Sequence, residues 1–288
     1  MKDKVRVGGQ AVIEGVMMRG PKLTATAVRQ SDGNIAVDVQ PINSVMDRYP
    51  LLKKPFLRGV VILVESLIMG IRSLSYSAKM AGEDDGELTD REMAATIFAA
   101  FILAGVLFIA VPTGAAKLLG GLTENPVYLN LLEGAVRLII FLLYIWAISR
   151  LSDIKRVFQY HGAEHKTIFC YEAGLPLTVA NAQKFSRFHP RCGTAFLLIV
   201  MLISIFVFAF FGWPDLWLRI LSRVLLFPVV AGISYEFIRL AADSDNPVIH
   251  AAITPGLWLQ YLTTRPPDDD MVEVAIASLQ AVLPPEQE

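Results

Sequence analysis

The chain has 288 residues, 54% of them hydrophobic and 18% charged, with a formal net charge of −1. Soluble domains carry about 25% charged residues, so a wholly water-soluble fold is excluded. The near-zero net charge leaves no global field to attract nucleic acid.

Residues 1–55 read as a small, cytoplasmic, β-rich unit. Met1 to Arg6 are charged and lack the apolar stretch of a signal peptide. Gly8-Gly-Gln-Ala-Val-Ile-Glu-Gly-Val-Met-Met-Arg-Gly-Pro21 is glycine-rich, but no Gly-Lys-Ser/Thr follows, so the phosphate-loop pattern is not met. The segment is either a binding loop or a glycine-rich turn packed on the rest of the protein, with Glu14 on turn or helix-start duty. Thr24–Gln30 and Ile35–Gln40 alternate in polarity around Ser31-Asp-Gly-Asn34 and predict a hairpin.

In residues 56–92, Leu57–Leu74 is apolar but punctuated by Arg58, Glu65 and Arg72, which predicts an amphipathic, interfacial or re-entrant helix. An acidic linker, Glu83–Glu87, follows. Residues 93–149 hold two spans. Met93–Ala116 has no charge, and Leu129–Ser149 carries only Glu133 and Arg137, which share one helix face. Residues 194–242 complete two more, the uncharged run Gly193–Pro214 and then Leu216–Ala242, with Arg219 and Arg223 near one end and Glu236 and Arg239 near the other. Such runs cross a hydrocarbon layer of roughly 30 Å. Residues 150–193 form a polar loop, and residues 243–288 a tail ending in an amphipathic stretch, Met271–Leu283. The fold class is therefore an α-helical membrane protein, with about four transmembrane helices, an interfacial or re-entrant helix and the small N-terminal β-rich unit. Lys and Arg crowd the segment ahead of the first span and residues 150–193, whereas only Lys117 separates the first two spans and none lies around Trp213 and Pro214. That alternation places both termini in the cytoplasm.

Residues 150–193 hold the chemistry. His161-Gly-Ala-Glu-His165 sets two imidazoles one helical turn apart, able to reach one metal, with Glu164 close by as general base. This is the His-x-x-Glu-His spacing of the inverzincin metallopeptidases. Cys170, Glu172, His189 and Cys192 lie in the same segment. His189 and Cys192, three apart, form a second pair of ligand type, and in a cytosolic segment both cysteines are expected as reduced thiols or ligands. Glu236, at the end of an apolar span, is a distant candidate for a third ligand. The expected ion is divalent, zinc above all. The other accounts of these residues are a hydrogen-bonded network bracing the loop, and a Cys192 nucleophile with His189 as its base.

Four separated stretches, Gly8–Arg19, His161–Lys166, His189–Thr194 and Gly232–Glu236, together resemble the YqhQ-like family of bacterial multi-pass membrane proteins. That family is a domain of unknown function labelled a predicted metal-dependent enzyme. The resemblance implies a bacterial inner-membrane location and supports a metal; it supplies no substrate. Two functions are expected from residues and resemblance together. One is a membrane-embedded hydrolase with a cytosol-facing metal, a peptidase among its forms. The other is a non-enzymatic scaffold or biogenesis factor with a structural metal or polar network. The partners are the lipid bilayer and a membrane-protein substrate or client. A transporter fits poorly, because matched broken helices are missing.

Overall fold

Alternation in the first forty residues produces an antiparallel sheet of order β1–β2–β3–β4, formed by β1 (Gly8–Val12), β2 (Gly15–Arg19), β3 (Leu23–Arg29) and β4 (Ile35–Pro41). The computed structural model describes residues 5–82, 90–118, 125–242 and 246–284; the acidic linker at 83–87 lies outside them. The predicted hairpin is present as β3 and β4, with Arg29 opposite Ile35. The glycine-rich stretch is the β1–β2 hairpin. Glu14 sits in its two-residue turn at φ 49°, and Arg156 holds both its carboxylate oxygens at 2.5 Å.

Three layers result. Thr26 bonds Ser73 of α2 (Leu57–Ala81) at 3.0 Å on one face of the sheet. On the other, Val16, Met18, Ala25 and Ala27 are buried against α6 (Ser152–Ala173) and α11 (Asp269–Val282). The sheet is thus no separate N-terminal domain: elements from the middle and end of the chain cover it. Burying apolar area at roughly 25 cal/mol per Å² makes this shared core the main stabiliser of the unit. Between these elements come two short turns of helix, α1 (Val45–Arg48) and a 3-10 turn at Pro50–Lys53.

Among the described residues, three helices are long and apolar enough to cross a membrane: Ala94–Leu118, Pro126–Ile148 and Leu216–Ala241. The first runs through α3 (Asp90–Gly105), a π-helical turn at Val106–Ala110 and α4 (Val111–Leu118). A π turn disturbs the regular backbone ladder, and here the Phe108 carbonyl accepts from Arg137 Nε at 2.8 Å. Arg137, on α5 (Pro126–Ile148), also binds Glu133 at 2.5 Å, so the predicted one-face pair forms. The fourth expected span, α8 (Gly193–Ala209), is a shorter apolar helix of 17 residues. It packs between α5 and α9 (Leu216–Ala242), with Ile205 filling the groove that Gly134 opens.

The expected C-terminal tail omits a helix. α10 (Pro247–Thr263) lies across the start of α8, where Gly256 meets Ala195 so closely that a Cβ would stand 2.8 Å from Ala195 Cβ. It then hands the chain to α11, so residues near both ends of the chain meet in the same three-layer unit.

Candidate metal centre

The segment expected as a loop begins with a 22-residue helix, α6. The polar residues that suggested a loop include the ones its buried face aims inward: Tyr160, His161, Gly162, Ala163, Glu164, His165, Thr167, Ile168 and Cys170 are all buried. After α7 (Val179–Ala182) and an irregular stretch, Cys192 caps α8. That places its sulfur against the two imidazoles.

His161, His165 and Cys192 each offer one donor atom, all within 4.8 Å of one another and all buried. The hydrogen bonds fix which nitrogens face inward. His161 Nδ1 donates to the Thr263 carbonyl at 2.8 Å, and His165 Nδ1 to the Arg187 carbonyl at 2.5 Å. A carbonyl can only accept, so Nδ1 carries the proton on both rings and both Nε2 atoms turn toward the sulfur. His161 Nε2 lies 3.2 Å from Cys192 Sγ. Backbone carbonyls orienting ligand imidazoles through their other nitrogen are the usual supporting shell of a metal site.

The electrostatics agree. Burial opposes ionising Cys192, yet His161 and His165 facing it bring the thiol well below its ordinary value. Burial opposes charging His161 too, but the Cys192 thiolate outweighs it and the ring rises to about 9. Burial holds His165 below the usual histidine range. Two Nε2 atoms and a sulfur therefore face one another, and among the described residues the rings' inner nitrogens have no hydrogen-bonding duty other than that sulfur. A divalent cation would satisfy all three, so the donor set fits a metal, and mixed imidazole and thiolate donors suit zinc.

Glu164 stands beside this set. Burial pushes its carboxyl up to about 8, and its Oε2 has no hydrogen-bond partner among the described residues. Its Oε1 touches β1: a Cβ on Gly9 would lie 2.9 Å away. Glu164, His161 and Gly9 line a cavity of about 690 Å³.

Two expected ligands are elsewhere. Glu236 takes no part in the set, because Arg58 of α2 binds its two oxygens at 2.7 and 2.5 Å and the Phe56 N–H lies 3.4 Å from one of them. The Gly232–Glu236 stretch joins α9 to the start of α2: Gly232 lies against the Phe56 backbone, and Gly59 against Tyr235. Glu236→Gln should cost about 1.5–3 kcal/mol, as loss of a charge-assisted bond does, and leave metal content unchanged; a thermal melt with metal analysis checks both.

His189 is near but faces away. Its ring centroid is 5.5 Å from that of His165, its Nδ1 accepts from the Arg191 N–H at 3.2 Å, and its Nε2 looks toward Glu172 at 3.6 Å. Burial would raise Glu172, but His189 and Arg191 hold it below the usual carboxylate range. The expected His189–Cys192 nucleophile and base pair is corrected on the same ground: the imidazoles facing Cys192 are those of His161 and His165. Cys170 is a core thiol that burial pushes up. Neither cysteine is in a disulfide.

Sequence reasoning missed Gly162, Gln260 and Thr263. Gln260 clasps the His189 backbone at both its N–H and its carbonyl, 2.8 Å each. Polar residues ending the apolar run Pro247–Leu262 were the available signal. Gly162 stood in view between the histidines.

Fold and site together define a mostly helical protein with, among the described residues, three membrane-length helices, a small antiparallel sheet and a buried two-histidine, one-cysteine cluster. The chain belongs to the family described as Protein of unknown function (DUF1385), which it matches over residues 54–285. It is 39% identical over 291 residues to the Uncharacterized protein YqhQ of Bacillus subtilis (strain 168), an alignment covering 96% of this chain and 92% of that protein. No solved structure matches significantly.

Proposed function

We propose that the chain is a membrane-embedded, metal-dependent hydrolase of the bacterial inner membrane, its site on the cytoplasmic side. One observation carries this: two imidazole Nε2 atoms and a cysteine sulfur converge in a buried place, with both Nδ1 atoms committed to backbone carbonyls. His161, His165 and Cys192 hold a divalent ion, zinc by donor type. When bound, the ion supplies Lewis acidity that polarises a carbonyl and acidifies water.

The chain's own residues do the rest. Thr263 and Arg187 carbonyls keep both rings aimed. Glu164, unpartnered at Oε2 and on the cavity wall, takes the proton from attacking water and returns it to the leaving group. Among the described residues three protein donors converge rather than four, which supports a catalytic site, since structural zinc sites are closed by four. Cys192 does not line the cavity while His161 and Glu164 do, which favours the metal over a thiol nucleophile. The alternative, a scaffold or biogenesis factor with a structural metal or polar network, gives Glu164 no catalytic task.

The cytoplasmic placement is supported by the basic residues ahead of the first span and in 150–193, and by the shared packing of both ends of the chain. With α8 as a fourth span, the chain enters and leaves the bilayer twice before α10.

Purification in detergent followed by metal analysis tests the proposal. Wild type and Glu164→Gln are expected to carry about one equivalent of divalent metal. Hydrolysis of a fluorogenic peptide or ester library should fall about 10²–10⁴-fold in Glu164→Gln. A metal-free wild type, or a Glu164→Gln protein as active as wild type, would end this assignment.

A further inference from the structure

The cavity wall carries a feature that the hydrolase assignment does not use. β1 is an edge strand. The two-residue turn at Ile13–Glu14 makes Val12 and Gly15 a hydrogen-bonded pair, and alternation along the ladder repeats this at Gln10–Met17 and Gly8–Arg19. The N–H and C=O groups of Gly9 and Ala11 therefore point away from β2. Among the described residues they have no backbone or side-chain partner. Val7 to Ala11 all line the cavity, so this row of peptide groups looks into it.

The surrounding walls are mostly apolar, with Arg19 and Arg191 among their polar residues. Ile62, Leu63 and Leu67 line it from α2, Val157, Phe158 and Ile168 with His161 and Glu164 from α6, and Phe196 and Leu197 from α8. Gly8 and Gly9 are exposed and carry no side chain to hold a visitor away from the strand. Gln10 turns its side chain onto the α2 face of the sheet, its amide packed on Gly70, and leaves the edge clear. A ligand that completes this site must offer donors and acceptors at two-residue spacing together with apolar groups on both faces. An extended polypeptide does so. A lipid chain would fill the apolar walls but leave the Gly9 and Ala11 peptide groups unmet.

We propose that an unfolded polypeptide segment pairs with the free edge of β1 as a fifth strand, which lays its backbone beside His161 and Glu164. The inference rests on the hydrolase assignment and names its substrate class: an extended stretch of a protein chain, held by its backbone and so with broad side-chain tolerance.

Ala11→Pro separates edge pairing from folding. Ala11's N–H is not used in the sheet, and proline is tolerated on edge strands, so the sheet and the metal centre stay intact. Full-length protein in lipid nanodiscs, as wild type, Glu164→Gln and Ala11→Pro, is titrated into a fluorescein-labelled degenerate decapeptide mixture and followed by anisotropy. A second mixture carries N-methyl groups at alternate residues, and phosphatidylglycerol vesicles serve as competitor. Expected is binding to wild type and Glu164→Gln alike, weakened about tenfold by N-methylation and about tenfold by Ala11→Pro at unchanged metal content, the effect of one or two hydrogen bonds. No peptide binding, binding indifferent to both changes, or displacement by vesicles with no effect of N-methylation overturns it. Metal-free protein that still binds the plain peptide in this pattern sinks the hydrolase assignment and leaves strand pairing standing. Metal-loaded protein that ignores the peptide does the reverse.

Discussion

Cys192→Ala should abolish metal binding at the proposed centre. The variant is expected to retain less than about a tenth of an equivalent of divalent metal after desalting, where wild type is expected to hold about one. The physical reason is charge. His161 and His165 are neutral donors once their Nδ1 protons are committed to the Thr263 and Arg187 carbonyls. The thiolate is the negative ligand in the set, and the cluster is buried from water that could compensate. His161→Ala and His165→Ala should behave alike. Cys170→Ala is the control, because that sulfur packs in the core and hydrogen-bonds the Pro176 carbonyl at 3.6 Å, away from the imidazoles; it should keep its metal. Because an ion bound to the folded state alone stabilises it by mass action, EDTA should lower the melting midpoint of wild type and leave that of Cys192→Ala unmoved. Equal metal in wild type and Cys192→Ala contradicts the ligand assignment.

The contrast between these cysteines shows what the sequence could and could not convey. His161 and His165 were legible together because helical geometry is local: residues four apart share a face whatever surrounds them. Cys192 and His189 were legible as ligand types, but not as partners. The chain between them runs irregularly into the start of α8, so their spacing fixes no common direction, and Gln260 pulls the His189 backbone aside. Glu236 looked like a third ligand because an acid at the end of an apolar helix needs a partner. The partner, Arg58, lies 178 residues away in sequence on a helix whose contact with α9 no local pattern announces. The β3–β4 hairpin followed from alternation and a turn. The burial of its sheet under α11 depends on contacts such as Ser278 with the Ala25 carbonyl, 253 residues apart. The 17-residue α10, with prolines at its start and within it, fell below the length that marks a span and so passed for part of a tail.

Gly162→Ala should damage the centre without touching a ligand. At Gly162 the helix passes so near the returning chain that a methyl group would collide with the Arg265 carbonyl oxygen and approach Pro267 Cδ at 3.3 Å. Neither can retreat cheaply. Arg265 N–H is bonded to the Phe158 carbonyl at 2.8 Å, one turn earlier on α6, so the segment is pinned to the helix it would have to leave. Overpacking against backbone costs about 3 kcal/mol, which corresponds to roughly 6–12 °C in melting midpoint for a chain of this size. The more specific consequence follows from Thr263, two residues before Arg265, whose carbonyl aims His161. Displacing it frees the ring to rotate, and loss of such an orienting bond lowers metal affinity by about 10- to 100-fold. Competition with a calibrated zinc chelator reads that loss at a temperature where the variant remains folded. Gly20 offers a comparison: there a Cβ would meet the Val282 carbonyl at 2.8 Å, in the shared core and away from the histidines. Gly20→Ala should lower the melting midpoint and leave zinc affinity as it was. If Gly162→Ala binds zinc as tightly as wild type while melting earlier, the Thr263 carbonyl does not orient His161 and the supporting shell is misassigned.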